Sequence, residues 1–371
     1  MWAMILKEFL ELRRDRRTMA MIVALPLLLL VVFGYAANFS VTDVPTRVYG
    51  PRAEQAAAQL RAPFDVQEVD VSGTEQQARD ALRAQDAGAV VLTSSNSASA
   101  SGSSTPSGAS ATASSGASVT VLIDGSNLFA AQAAAAAAKA TGGKLTPQVL
   151  FNPELKTSWM MVPALVGMIM AFIGTIITAI GLVRERQAGT LEQLAVMPFR
   201  ASDVIAGKIA PYFVLAAFDM ILVTVLGCLV FGVPFAGNIA VFALGAALFL
   251  FTVLGIGVLI SSVSQNQGQA MQLALLTLLP QILLSGMIFP LSAMAAGVRW
   301  IGYLFPLTYF IKLSNGVMLR DAPLDSLALP LGVLAGMAVL VFSFAVLRFR
   351  RDLAPAAPRA ARATLAAGST R

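Results

Sequence analysis

Long apolar runs alternate with short polar connections over most of the chain, and one region of mixed character, residues 40–158, interrupts that rhythm. A helix needs about 20 predominantly apolar residues to cross roughly 30 Å of hydrocarbon. Six stretches meet that condition: about 19–39, 159–183, 205–231, 238–262, 269–289 and 327–347. Pro26, Pro163, Pro211 and Pro280 fall inside them, which is tolerated where neighbouring helices satisfy the freed backbone groups. The pattern predicts a membrane all-α bundle of six transmembrane helices, with an inserted α/β extracytoplasmic domain between the first and second.

Within 40–158 the periodicity shortens. Residues 46–50, 64–71, 87–93 and 119–125 read as strands, and 64–71 alternates with period two. Residues 53–62, 74–86 and 127–141 read as helices, with Thr74 placed to cap the second. Strands alternating with helices indicate a small α/β domain. Residues 94–118 are almost entirely Ser, Ala, Gly and Thr. Such a segment has too little apolar surface to offset chain entropy and is expected to be a flexible loop. Asp124, followed by Gly125 at the end of a strand, reads as turn chemistry rather than a catalytic acid.

Composition agrees with a membrane chain. Of 371 residues, 57% are hydrophobic and 12% charged, about half the charge of an ordinary soluble domain. The net charge of +6 comes from basic clusters beside apolar runs, as membrane orientation requires, and nucleic-acid binding is not expected. Three clusters (Lys7 to Arg17, Arg184 to Lys208, Arg348 to Arg351) fall on one side of a six-span topology. The expectation is an inner-membrane, multi-pass protein with both termini cytoplasmic. The chain has one cysteine, Cys228, and no histidine. Internal disulfides, histidine zinc sites and Ser-His-Asp triads are thereby excluded; no catalytic residue and no metal ligand emerges.

Residues 1–18 place Trp2, Ile5, Leu6, Phe9 and Leu12 near helical spacing, with charges opposite. This predicts a cytoplasmic interfacial helix leading into an uncleaved first span. The connection 184–204 is the most informative polar stretch. Arg184, Glu185 and Arg186 leave the membrane, Gly189 interrupts, and Thr190 can cap a short helix bearing Glu192 and Leu194 that Pro198 ends. A short amphipathic helix across the cytoplasmic face suits docking of a soluble partner.

These residues resemble the ABC-type-2 permeases, the membrane subunits of ABC exporters. The loop motif is carried by Arg184, Glu185, Gly189, Thr190, Glu192, Leu194 and Pro198, followed by Gly207, Lys208, Pro211 and Tyr212; Gln187 stands where the family usually has an acid. The N-terminal match rests on Lys7, Glu8, Arg14, Asp15 and Thr18, and a third on Phe289, Pro290, Trp300, Pro306, Thr308 and Tyr309. The resemblance implies an ABC ATPase partner in two copies, a second permease copy or paralogue, and a periplasmic adaptor as a further possible partner. Arg184, Glu185, Arg186, Gly189, Thr190, Glu192, Leu194, Pro198 and Lys208 would couple to the ATPase. No G-x-x-x-x-G-K-[ST] run occurs in the sequence, so ATP and Mg would be bound by the partner.

Candidates for the pathway are Asp219, Gln272, Gln281, Phe289, Trp300 and Tyr309, with Gln269 a further possible partner of Asp219. A carboxylate within a span is expected to face the bundle interior, as a hydrogen-bonded structural group or as a lining group. Segment 290–312 reads as re-entrant or interfacial, with Trp300, Tyr303 and Tyr309 at headgroup level. Gly255, Gly257, Gly332 and Gly336 read as sites of close helix packing. The functional expectation is ATP-driven efflux of hydrophobic or amphipathic compounds, drugs or lipids. The alternative is a non-transport scaffold or sensor presenting the outer domain.

Overall fold

The computed structural model describes residues 43–93, 119–188 and 201–353. The expected interfacial helix at 1–18, the first span at 19–39, the loop at 94–118 and most of the tail lie outside them.

The first unit is a five-stranded sheet. Its strands are β1 (Val44–Tyr49), β2 (Phe64–Asp70), β3 (Ala89–Thr93), β4 (Val119–Asp124) and β5 (Leu145–Leu150), in the order β2-β1-β3-β4-β5. β3 and β4 are antiparallel and the other neighbours parallel. The period-two rule sorts adjacent residues to opposite faces. Val48, Val91 and Ile123 pack under helices α1 (Ala53–Gln59) and α3 (Leu128–Ala140). Their chain neighbours Tyr49, Val90 and Leu122 pack under α2 (Glu75–Ala84). The result is a three-layer α/β/α sandwich. Thr74 caps α2 as expected: its hydroxyl accepts from Gln77 N, and Gln77 Oε1 accepts from Thr74 N. The alanines of α3 let it approach the sheet closely, with Ala131, Ala134 and Ala138 fully buried.

β5 was not expected from the sequence. Pro147 and Gln148 disrupt its apolar alternation, and Pro removes a ladder donor. An edge position accommodates that loss, and β5 is an edge strand.

The second unit is helical: α4 (Thr157–Gln187), α5 (Ala201–Phe231), α6 (Ile239–Val263), α7 (Gln267–Leu284), α8 (Ala296–Gly302), α9 (Pro306–Asn315) and α10 (Leu324–Leu353). Among the described residues four helices are long and apolar enough to cross a membrane: α4, α5, α6 and α10. The stretch expected to span at 269–289 forms a shorter helix that ends at Leu284, and Gln267, Gln269, Gln272 and Gln281 dilute its apolar character. Even so, α7 runs the length of the bundle. Gln267 at its start bonds the end of α4, while Ser285 after its last turn lies beside the sheet unit.

α4 and α6 form the centre of the bundle, and α9 inserts against both. Phe310 on α9 stacks on Phe249 of α6 with ring centroids 4.6 Å apart. Gly167 on α4 leaves room for that ring, since a Cβ there would collide with Phe310. Gly255 and Gly257 act as expected, facing Val341 and the Thr175–Thr178 turn so closely that a side chain has no space. Gly332 and Gly336 differ: among the described residues nothing lies within 4 Å of a Cβ at either. Cys228 is half-buried against the main core.

Candidate functional site at the two ends of the bundle

The chain crosses from sheet to bundle at one end. Asn152 secures the crossing, its side chain bonding both the N–H and the C=O of Lys156 immediately before α4. At the same end the turn between α5 and α6 meets a π-helical turn, Gly316–Arg320, that follows α9. The N–H groups of Ala236 and Gly237 donate to the carbonyls of Met318 and Val317, each at 2.9 Å. Asp321 then reverses the chain with φ +49°, a left-handed conformation that Asp adopts more readily than most residues.

That reversal carries Arg320 into the sheet unit. Its Nη1 lies 3.6 Å from Asp124 Oδ2, with both side chains 3% exposed, and it donates to Ser126 Oγ at 3.1 Å. The other oxygen of Asp124 accepts from Ser126 N at 2.9 Å. The sequence reading of Asp124 as turn chemistry is therefore half of its role; the other half is a buried ion pair across the two units. Burial pushes the Arg320 guanidinium below its ordinary value, and Asp124 opposes that shift. A guanidinium stays charged regardless, so the pair remains ionic. Arg320 was missed in the sequence, where a lone basic residue after an apolar run looks like any other loop charge.

Beside this pair is a cavity of about 210 Å³ between the units. One face of α9 lines it through Thr308, Ile311, Lys312 and Asn315, the i, i+3, i+4, i+7 stripe. The Lys312 ammonium sits 5.0 Å from the Tyr303 ring centroid. Asn315 Oδ1 is buried without a hydrogen-bond partner.

At the opposite end, α4 is tied to the tight connection between α6 and α7. Arg186 Nη1 donates to the Ser264 carbonyl at 3.2 Å, and Gln267 Nε2 donates to Gln187 Oε1 at 3.1 Å. Gln269 stabilises the same connection by accepting from Gln265 N and placing its own N–H on Asn266 Oδ1. It is thus a turn-stabilising residue and does not reach Asp219.

Of the coupling residues, Arg184 is exposed, Glu185 and Arg186 are half-buried at the end of α4, and Lys208 lies in α5. Gly189, Thr190, Glu192, Leu194 and Pro198 fall outside the described residues, as do Lys7, Glu8, Arg14 and Asp15.

The pathway candidates are dispersed. Asp219 is half-buried on α5, whose neighbours are α4, α6 and α10, and has no hydrogen bond to the α7 glutamines. Gln281 is 2% exposed, with its Nε2 unpartnered, and Gln272 Oε1 is also buried and unpartnered. Phe289 is buried in a small cluster with Leu283, Leu284 and Met294. Tyr309 is buried and donates to the Tyr303 carbonyl at 2.8 Å, so its ring does not face outward as a headgroup anchor does; Trp300 does, at 58% exposure. Among the described residues no cluster of carboxylate or thiol ligands could hold a metal ion.

The sequence profile described as ABC-2 family transporter protein matches residues 16–347. The chain is 26% identical over 373 residues to the probable multidrug ABC transporter permease YbhR of Escherichia coli K12, covering 95% of this chain and 99% of that one. To the probable multidrug ABC transporter permease YbhS of the same strain it is 26% identical over 375 residues, covering 95% and 97%. The inner membrane transport permease YhhJ, also of that strain, is 32% identical over 219 residues, 56% of each chain. The match takes in the sheet unit, the bundle and the segment joining α4 to α5, and this chain belongs to the ABC-2 family of transporter permeases.

Proposed function

We propose that this chain is the membrane subunit of an ATP-binding-cassette exporter that drives hydrophobic or amphipathic compounds, drugs or lipids, out across the inner membrane. A separate ATPase, in two copies beneath two permease copies, supplies the energy. In this reading the stretch 19–39 and α7 join α4, α5, α6 and α10 as six crossing helices. Both termini are cytoplasmic, and the sheet unit stands outside the membrane, where it offers a surface to a periplasmic adaptor.

The observation that carries the reading is the fixture at the end of α4. A segment pushed by an ATPase must deliver its displacement to stiff elements. α4 has 31 residues, about 46 Å at 1.5 Å per residue, and Arg186 and Gln187 bind its end to the α6–α7 connection. A displacement arriving through 184–204 is thereby shared among three helices. Glu185 and Glu192 would meet basic groups of the ATPase, and Lys208 would follow the segment back into the membrane. Names of relatives agree in kind, since YbhR and YbhS are described as probable multidrug permeases.

The test is purification of the tagged chain with its ATPase, followed by reconstitution. Glu192→Ala is expected to abolish ATP-dependent extrusion while the membrane subunit stays folded. Unchanged extrusion, with no ATPase retained on the tagged chain, would defeat the reading.

A further inference from the structure

The cavity between sheet and bundle has an electrostatic character that its position does not require. Among the described residues no carboxylate lines it, whereas Lys312 does. Among the described residues no carboxylate lies within 4.0 Å of the Lys312 ammonium, which sits over the Tyr303 ring. The nearby carboxylate of Asp124 is matched by Arg320. The N-terminal end of α3, a 13-residue helix, abuts the cavity through Ser126 and Asn127, and such an end carries about half a positive charge. Asn315, one turn from Lys312, holds a buried amide whose oxygen has no partner. A half-buried ammonium and a helix N-terminus therefore face one space to which no described residue supplies a counter-charge. At about 210 Å³ that space holds several water volumes of roughly 30 Å³ each, enough for a compact ionic group.

The remaining walls are mixed, with Gln85, Ser285 and Ser292 beside the apolar Met160, Met287 and Leu291. Tyr303 belongs both to the cavity and to the outer surface, where it is 39% exposed beside Trp300 at 58% and Leu304 at 59%. This gives a polar recess continuous with an exposed aromatic and aliphatic strip. From this the geometry points to a binding site for an anionic amphiphile: its phosphate, sulfate or carboxylate head is held by Lys312, and its tail lies along Tyr303, Trp300 and Leu304. Only the view of this ligand as transported cargo rests on the exporter reading; the binding itself is independent of any ATPase.

The test uses the full chain in uncharged maltoside micelles, titrated with dodecyl phosphate, dodecyl phosphocholine or inorganic phosphate while thermal unfolding is followed. Dodecyl phosphate is expected to raise Tm saturably, as any ligand specific for the native state does. Dodecyl phosphocholine and inorganic phosphate are expected to leave it within about 1 °C, far below the several degrees that 1 kcal/mol produces in a small domain. Lys312→Gln should weaken the dodecyl phosphate affinity by about ten- to a hundred-fold, the range for a lost charged hydrogen bond. Lys312→Arg should keep it within about tenfold. Asn315→Asp, which adds a negative charge without touching Lys312, should weaken it comparably and covers the case in which Lys312→Gln fails to fold. Undiminished affinity in either Lys312→Gln or Asn315→Asp overturns the proposal, as does equal stabilisation by the phosphocholine. Stabilisation by inorganic phosphate matching that of the amphiphile overturns the tail assignment and identifies a free anion as the ligand. Unchanged extrusion in Glu192→Ala with saturable amphiphile binding defeats the exporter reading alone, whereas abolished extrusion in that variant with no saturable rise in Tm defeats this site alone.

Discussion

The two ends of the bundle are held by different chemistry. At the sheet end the central contact is a fully buried ion pair, Arg320–Asp124 at 3% exposure, joined by the paired N–H groups of Ala236 and Gly237 and the two hydrogen bonds of Asn152 to Lys156. At the other end α4 is fastened by side chains, one pair of them exposed glutamines and the other a partly buried arginine. Buried ionic contacts are costly to break and sharply directional, whereas solvent-exposed polar contacts exchange with water at little net cost. The sheet end is thus held by a contact that is costly to break, and the other end by contacts that water can replace.

The largest expected effect comes from breaking the buried pair on one side. Arg320→Met leaves Asp124 buried without its cation, and a loss of about 3–5 kcal/mol is expected in unfolding of the purified protein. Arg320→Met combined with Asp124→Leu should recover much of that loss, and a double-mutant cycle that comes out additive would show the two sites to be uncoupled. Next in size is Gly167→Leu, which forces a side chain into the space of Phe310. Overpacking of this kind costs about 1–3 kcal/mol, readable as a lower Tm. Arg186→Ala at the opposite end should change stability by only about 1 kcal/mol, as for a typical hydrogen bond, yet lower the extrusion obtained per ATP hydrolysed in the reconstituted complex. If Arg186→Ala proves as destabilising as Arg320→Met, the contrast between the ends collapses. The smallest effect belongs to Pro147→Thr on the edge strand, expected within about 0.5 kcal/mol in thermal unfolding.

Most of the architecture was legible where one periodicity ran long enough to be read. Four of the five strands, the helices between them, the cap at Thr74 and the four long apolar helices follow directly from pattern. The misses have physical causes. β5 hides because its Pro147 is acceptable only at an edge, and edge status is a property of the assembled sheet. α7 was read as extending to 289 because apolar residues continue past Leu284, while Gly286, at φ +91°, turns the chain aside. The site was less legible than the fold. Asp124 and Arg320 lie 196 positions apart, and each alone resembles ordinary loop polarity. Lys312 lies in a segment whose aromatic residues read as headgroup anchors, and that no described carboxylate pairs with it is visible only once the sheet unit closes over it. The grouping of Asp219 with the α7 glutamines failed for the same reason: two helices can be equally polar and still pack on different sides of α4.

The antiparallel pairing of β3 with β4 has one practical consequence. Thr93 and Val119 are register partners, and they lie at the end of the sheet away from Asp124 and its arginine. Any chain joining them leaves the sheet at the end opposite Asp124. An affinity handle, a fluorophore or a bulky fiducial inserted between 94 and 118 would therefore report on the sheet unit without loading the junction. It gives this permease a natural position for orienting particles in a microscope or for labelling intact cells, and such labelling would itself reveal on which side of the bilayer the sheet resides.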